Sequence, residues 1–487
     1  MYNIPSILKE KVCPAETAAE MIFDGAVVSA SGYTAVGDPK ATFYALAEKA
    51  KADGTKIHLV TAAQMSKGAE TALVDAGALI SRAPFVVCPA VSKAANAGSI
   101  KYTEAAMSKM PRLVEDGCFG SIDFAIIEAL DVSEDGDVTP TTSIGMNSQF
   151  CRQARYIILE INRTQPEALS GIHDILETPY HMGQQLKAVN ERVGKTTFKI
   201  DLSKVVAVVF SDIPDEEPAP VNITAQESAI CSNLMEFLEC NFDGRSLPPL
   251  QTGIGGVSLA ILNALSKSDY ENIKFYCGAL QEPMLDMLES GKASQISGGA
   301  FAMTQAGQKR FSEIKEEMDS IADLRISLNG GTAHEGDRLA DKLVLRNMEV
   351  ANSLIATSSV GLIALNTGIE MDIYGNLNTS HILGRKVVNG IGGGASFAEC
   401  SALSVMLMPS ARKDGAISTF VESTGHVDIV HHDVDVVISE QGIADLRGKT
   451  DIEAAQLIIS NCVHPDYKDK LADYLDEAIA RGGHHPL

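Results

Sequence analysis

At 487 residues, with 40 Lys+Arg against 63 Asp+Glu, the chain has a formal charge of −23 and is too long for one compact core. Its 45% apolar and 21% charged residues exclude a disordered chain and a collagen-like fibre. The acidic balance excludes a nucleic-acid binder, which needs a basic footprint to displace counterions, so any anionic ligand must be held by backbone amides or a few cations.

The chain starts MYNIPSILKEKV, with charges at Lys9, Glu10 and Lys11 ahead of any long apolar run, so no secretory segment is expected. Apolar runs such as Val205 to Phe210 have strand length and fall well short of the roughly 20 residues that cross a bilayer. The nine cysteines are scattered, odd in number and without a C-x-x-C pair, which reads as a reducing compartment and no zinc site. A soluble, cytoplasmic protein with no membrane partner is the expectation.

Short β-branched runs alternate with longer helix-period segments, the pattern of parallel sheets covered by helices, and the fold class is α/β. In the first half the expected strands are Ala26 to Ala30, Lys56 to Thr61, Phe85 to Cys88, Phe124 to Glu128, Tyr156 to Ile161 and Lys204 to Phe210. Pro39 to Gly54 has proline near the start and glycine past the end of a helix. The stretch SDIPDEEPAP (211 to 220) places three prolines and four acids in ten residues and suits an exposed connection. Thr224 and Glu227 then form a capping box ahead of the helical spacing Ile230, Leu234, Phe237, Leu238. Two domains are expected, 1–220 and 221–487. In the second, a glycine loop enters a helix at QTGIGGVSLAILNAL, and strand-like runs follow at Ile273 to Cys277, Ser353 to Ala356, Met371 to Tyr374, Leu403 to Leu407 and Val434 to Ile438.

Gly253, Ile254, Gly255 and Gly256 stand between a loop and a helix, where bare amides can cradle a phosphate. A dinucleotide fingerprint would require glycine at 258, which is Ser258, and a tight turn that needs positive φ explains the glycines equally well. The string GIGG recurs at 390 to 393. His431, His432 and Asp433 suggest a metal, but adjacent histidines in an extended stretch face opposite sides, and no metal is expected. His484 and His485 read as solvated tail residues, and Ser31 and Ser258 lack the context of a nucleophile elbow. Glu440, in DVVISEQGIADLRG, follows a buried-looking strand where open α/β sheets place ligand groups; an acid at a helix start, satisfied by backbone amides, is the equal alternative.

Several blocks resemble the acetyl-CoA hydrolase and acyl-CoA:carboxylate CoA-transferase family, of the succinyl-CoA:acetate and butyryl-CoA:acetate type: DGAVVSASGYTAVGDPKA, EDGDVTPTTSIG, LPPLQTGIGGV, LNTGIEMDIYGNLNTSH, KVVNGIGGGASF, and VDVVISEQGIADLRG through NCVHPDY. They run in order over almost the whole chain. The resemblance implies two similar open α/β domains with the active site at their interface, a homodimer, coenzyme A as co-substrate, and acyl-CoA and small carboxylates as substrates. In that family a glutamate carboxylate attacks the acyl-CoA, and CoA passes through a glutamyl thioester to an acceptor carboxylate. Carried over by position, Gly253 to Val257 is the CoA-binding glycine loop. Ile369, Asn389, Gly393 and Lys413 contact CoA, with Gly393 also an oxyanion amide. Asn352 and Glu440 are polar active-site residues, Glu440 assisting the acceptor or a water.

The nucleophile departs from the pattern. Where members carry Tyr-Thr-Glu, this chain reads Tyr276-Cys277-Gly278, followed by Ala279, Leu280, Gln281, Glu282 and Pro283, so Gly278 occupies the glutamate position. Glu282 at a helix start and Cys277 on the opposite strand face are substitutes to weigh, and Gly278 would leave room for a water activated by Glu440. The expected activity is CoA transfer between a short-chain acyl-CoA and a carboxylate, with hydrolysis or CoA binding without turnover as alternatives. Between Arg310 and Lys342 the chain is longer than the family pattern and includes His334 and Glu335.

Overall fold

The computed structural model describes residues 4–177, 184–242, 244–328 and 338–483. The chain forms two compact units: unit 1 is Met1–Ala219 with Phe275–Val360, and unit 2 is Pro220–Lys274 with Gly361–Leu487. The chain first changes unit between Ala219 and Pro220, and residues 275–360 belong to unit 1. The principal strands are β1 (Val27–Ala30), β2 (Ile57–Thr61), β3 (Leu79–Ala83), β4 (Lys101–Tyr102), β5 (Phe124–Ala129), β6 (Tyr156–Asn162), β7 (Val205–Ser211), β8 (Leu250–Thr252), β9 (Ile273–Gln281), β10 (Ala293–Ala302), β11 (Leu343–Arg346), β12 (Ile363–Asn366), β13 (Leu403–Leu407), β14 (Val436–Ser439) and β15 (Gly442–Asp445).

In unit 1 the order β7-β6-β5-β1-β2-β3-β4 forms one sheet, parallel throughout. Every residue of β5 (FAIIEA) is buried, as expected of a strand covered on both faces. The chain builds outward from β1 in one direction and from β5 in the other, so β1 and β5 flank the switch point at which open sheets leave a crevice beyond their carboxyl ends. The helix Ala41–Asp53 starts on the buried Glu160 of β6, whose carboxylate accepts from the amides of Lys40, Ala41 and Thr42 at 2.9, 2.9 and 3.1 Å. It ends at Gly54 with φ 81°, as the Pro39 to Gly54 pattern requires. The same unit sets β9, β10, β11 and the short strand His173–Asp174 side by side.

Unit 2 has the parallel order β8-β12-β13-β14, with β15 antiparallel on β14. The capping box of Thr224 and Glu227 starts the helix Ala225–Asn241. A second box, Thr450 with Glu453, starts Asp451–Cys462, which packs Ile458 into a core with Met371, Met406 and Val437.

Three local expectations fail for physical reasons. Phe85 to Cys88 is a loop into the helix Pro89–Asn96, while the strand is β3, where Arg82 is buried against Glu70 at 2.7 Å. Ser353 to Ala356 runs into the helix Leu354–Val360, because a short apolar run does not distinguish strand from helix by period. The acidic stretch after 211 is partly internal: Asp215 is buried and bonded to Lys40 Nζ at 2.9 Å. Among the described residues, no helix is long and apolar enough to cross a membrane.

Candidate active site

In unit 2 the candidate residues follow the carboxyl ends of its parallel strands, where open α/β sheets place ligand groups. After β8 comes the loop Gly253 to Gly255, and then the helix Gly256–Lys267 begins. Among the described residues, a Cβ built on Gly253 or Gly255 would meet nothing within 4 Å beyond its chain neighbours, and Gly255 has φ 131°. Ile254 between them is 53% exposed, whereas Val257 turns into the core. The buried Ser258 clasps the loop: its Oγ donates to the Gly253 carbonyl at 2.7 Å and lies 2.7 Å from Thr252 Oγ1. A hydroxyl is therefore used where a dinucleotide fingerprint has glycine. The carboxylate of Glu227 fills the place of a Cβ at Gly256, so an acid stands at this helix start. Backbone approach is possible at Gly253 and Gly255, while a phosphate at Gly256 would face that acid.

Glu440 follows the end of β14 and is half-buried. Its carboxylate accepts from the Ser410 amide at 2.8 Å, the Ser410 hydroxyl and Gln226 Nε2 at 2.8 Å. Burial alone would raise its pKa, but these bonds outweigh burial and hold the carboxyl below the usual glutamate range. Ser410 and Gln226 carry no local sequence signal; they come from the segment after β13 and the start of the helix Ala225–Asn241. Gly393 caps the helix Gly394–Cys400, and Asn366, the last residue of β12, donates to the Gly394 carbonyl at 3.3 Å. The Ile369 amide donates to the Asn378 carbonyl at 2.7 Å, and the Asn389 amide to that of Ser380 at 3.2 Å. Lys413 is exposed on the hairpin tip between Arg412 and Ile417, with φ 51°.

Unit 1 holds the other group. Gly278 is on β9, half-buried, and its φ is not positive, so its backbone would accept a side chain. The space is occupied instead: a Cβ at 278 would overlap the hydroxyl of Tyr33, so the expected room for a water is filled by a phenol. Tyr33 sits just past the carboxyl end of β1, at the switch point, held by a turn in which Thr34 and Ala35 both have positive φ (57° and 63°). Its amide and carbonyl bond to Val36 at 3.2 and 3.3 Å, and Gly299 of β10 leaves a slot for its ring. Tyr33 Oη donates to Asn352 Oδ1 at 3.4 Å, and Asn352 Nδ2, in a residue 1% exposed, has no partner among the described residues. Burial pushes the Tyr33 pKa up to about 12 against a smaller lowering by Asn352.

The possible replacements for a carboxylate at 278 are engaged elsewhere. Glu282 starts the helix Glu282–Glu289, but its carboxylate accepts from the Thr304 amide and fills the space over Gly307, capping the helix Gln305–Leu328. Cys277, on the opposite strand face, is fully buried. His431 and His432 lie in a 3-10 turn with ring centroids 3.9 Å apart, so they stack and do not face opposite sides as an extended stretch would require. His334, Glu335, His484 and His485 lie outside the described residues.

A buried ion network underlies the Tyr33 turn. Lys40 Nζ reaches Glu128 at 2.8 Å, Asp215 at 2.9 Å and the Asp38 carbonyl at 2.6 Å, while Asp38 accepts from the Ser66 amide and hydroxyl, both at 2.9 Å. Burial pushes Asp38 up to about 7 and Glu128 to about 8, and the three acids raise Lys40 well above its ordinary value despite burial. Packing of Asp38 against Gly32 connects this network to the residue before Tyr33.

Residues 6–209 match the acetyl-CoA hydrolase/transferase N-terminal domain, and residues 337–475 the acetyl-CoA hydrolase/transferase C-terminal domain. The chain is 35% identical to a succinyl-CoA:acetate CoA-transferase of Clostridium kluyveri, over 98% of this chain and 87% of that protein. It is 33% identical to a propanoyl-CoA:succinate CoA transferase of Escherichia coli (97% and 94% covered) and 31% to an acetyl-CoA hydrolase of Candida albicans (96% and 90%). Among solved structures, RipA from Yersinia pestis shares the fold with a TM-score of 0.73 at 18% identity, covering 97% of this chain and 98% of that one. A 4-hydroxybutyrate CoA-transferase from Porphyromonas gingivalis does so with 0.64 at 17%, with the same coverage.

Proposed function

Because the chain belongs to the acetyl-CoA hydrolase/transferase family, whose members here are CoA-transferases and thioester hydrolases, we propose that it moves CoA from a short-chain acyl-CoA to a small carboxylate, with both substrates bound at once and no glutamyl-CoA intermediate. The observation that carries this reading is the Tyr33 hydroxyl lodged where a side chain at 278 would begin. The acceptor carboxylate then has to do what an enzyme carboxylate otherwise does. Its oxygen attacks the acyl carbonyl, the C–O bond forms, the C–S bond breaks, and CoA leaves as thiolate from a mixed anhydride. The thiolate attacks the other carbonyl of that anhydride, forming the new thioester and expelling the donor acid as carboxylate. No net proton is consumed.

On this reading the Gly253–Gly255 loop, Ile369, Asn389 and Lys413 hold CoA, and the Gly393 amide stabilises the oxyanion of a tetrahedral intermediate. Ionised Glu440 holds Ser410 and Gln226 in place. Hydrolysis is the second reading, favoured by the name of the Candida relative, with water in place of the acceptor and Glu440 taking its proton. The scattered cysteines support a reducing, cytoplasmic setting, and the family resemblance supports a homodimer.

The test is acetyl-CoA with and without succinate, following free thiol and succinyl-CoA. Transfer predicts succinyl-CoA only when succinate is present and little free thiol. Equal thiol release without any carboxylate would establish the hydrolase. No turnover, with CoA still raising the melting temperature, would contradict both and leave a CoA-binding homologue.

A further inference from the structure

The slot at Gly278 can do more than exclude a side chain. Resting on the transfer reading, we propose that the Tyr33 hydroxyl and the Asn352 side-chain amide form the binding site for the carboxylate group of the acceptor. A glutamate at 278 would carry its carboxylate on a tether starting at Cβ. Here the tether's first atom is replaced by the Tyr33 hydroxyl oxygen, a hydrogen-bond donor fixed at that place. A free carboxylate that accepts from this hydroxyl would lie in the region a side chain at 278 would enter. The chain has exchanged a covalently attached carboxylate for a donor that can hold a diffusible one.

Three further observations point to such a ligand. Among the described residues the Tyr33 hydroxyl makes one bond, to Asn352 Oδ1 at 3.4 Å, beyond the usual range for an O–H donor, so it can turn to a better acceptor at little cost. Asn352 Nδ2, on the same amide group, is buried without a partner among the described residues, and an orphaned buried donor is costly unless something occupies it. Gly278 is half-buried while Tyr33 and Asn352 are nearly inaccessible, so the glycine is the exposed part of this group. Two neutral donors suit a carboxylate that must remain nucleophilic, since a bound guanidinium or ammonium would draw charge from the attacking oxygen. Burial keeps the phenol protonated, and therefore able to donate, far above neutral pH.

The turn that carries Tyr33 fits a placed group. Two consecutive residues with side chains, Thr34 and Ala35, adopt left-handed φ, a conformation that costs energy and persists only where its surroundings impose it. Thr34 Oγ1 donates to the Tyr33 carbonyl at 2.6 Å, the Ala35 amide to the Gln64 carbonyl at 3.3 Å, and Ser143 Oγ to the Val36 carbonyl at 2.9 Å.

The test measures carboxylate binding without turnover. Carboxyl-labelled [13C]acetate is titrated into the full-length protein and followed by NMR, for wild type, Tyr33→Phe and Asn352→Ala, with melting temperature as a control for folding. Saturable acetate binding in the wild type, weakened roughly 10- to 100-fold in Tyr33→Phe with an unchanged melting temperature, is the expected result. In steady-state transfer the same variant should raise KM for the acceptor and leave KM for acyl-CoA unchanged. Equal acetate affinity in wild type and Tyr33→Phe would overturn the proposal, and so would no saturable binding in the wild type. Should Tyr33→Phe be too unstable, Asn352→Ala decides in the same way. Tyr33-dependent acetate binding in a protein without transfer activity would leave this site standing and remove the transfer reading, so the two failures are separable.

Discussion

Gly278 in unit 1 and Gly253 with Gly255 in unit 2 both lack a Cβ within stretches that resemble known CoA enzymes, for opposite reasons. At 278 the backbone would accept a side chain, and a hydroxyl from another part of the unit fills the place. At 253 and 255 the place is empty to 4 Å among the described residues beyond the chain neighbours, and Gly255 has a φ that side chains rarely adopt. A glycine whose Cβ position is filled from elsewhere cannot take a side chain without displacing the occupant, whereas a glycine facing open space allows close approach by a ligand.

Removing the support beneath Tyr33 is the harshest way to break this contrast. Lys40→Met leaves several buried carboxyls without their cation and should cost about 3–5 kcal/mol. Asp38 and Glu128 have folded-state pKa values raised above their unfolded ones, so they bind protons more readily in the native state, and the stability they contribute declines as pH rises through about 7 to 8. Without Lys40 the ionised forms are still less favoured. Urea unfolding should therefore show a larger deficit for Lys40→Met at pH 8.5 than at pH 5; an equal deficit at both would mean that the lysine acts by packing alone.

The direct exchange comes next in size. Gly278→Glu should destabilise by about 1–3 kcal/mol, because the new Cβ overlaps the Tyr33 hydroxyl. Pairing it with Tyr33→Ala should recover part of that loss and give a mass adduct of CoA on incubation with acetyl-CoA. A double variant whose loss equals the sum of the losses in Gly278→Glu and Tyr33→Ala measured singly would show that the two positions are not coupled.

On the open side, Gly253→Ala should fold normally and shift the melting temperature little, yet weaken CoA binding by roughly 10-fold if the chain of CoA lies against this loop. Calorimetric titration reads it, and unchanged affinity would remove the loop from the CoA site. The smallest effect concerns pH. Because Glu440 is held below the usual glutamate range, its ionisation should leave turnover flat across the neutral range and down past pH 5. An acid limb near pH 6 that disappears in Glu440→Gln would show that its bonds from Ser410 and Gln226 do not outweigh burial.

Alternation of strand and helix made the α/β class legible, and paired cap residues made single helices legible, as Thr224 with Glu227 and Gly54 after Asp53 show. Both are local signals. Leu250–Thr252 escaped because three residues carry no period, and Ser353 to Ala356 misled because a short apolar run suits either element. The glycine at 278 was visible, but its occupant was not. Tyr33 belongs to a β1 turn far away in the chain, and only tertiary packing brings it to β9. Ser410 and Gln226 escaped in the same way, since the bonds that tune Glu440 come from two other elements. Asp215 shows the opposite error, an acid among prolines that reads as solvated and instead completes a buried network.

The central claim is that CoA passes between substrates without becoming attached to the protein, and the two-substrate rate pattern tests it most directly. Initial rates with acetyl-CoA and succinate varied together, alongside intact mass under acyl-CoA, should give intersecting reciprocal plots and an unmodified chain. Parallel plots together with a protein heavier by one CoA would contradict the account and show that another side chain has taken the place of the absent glutamate.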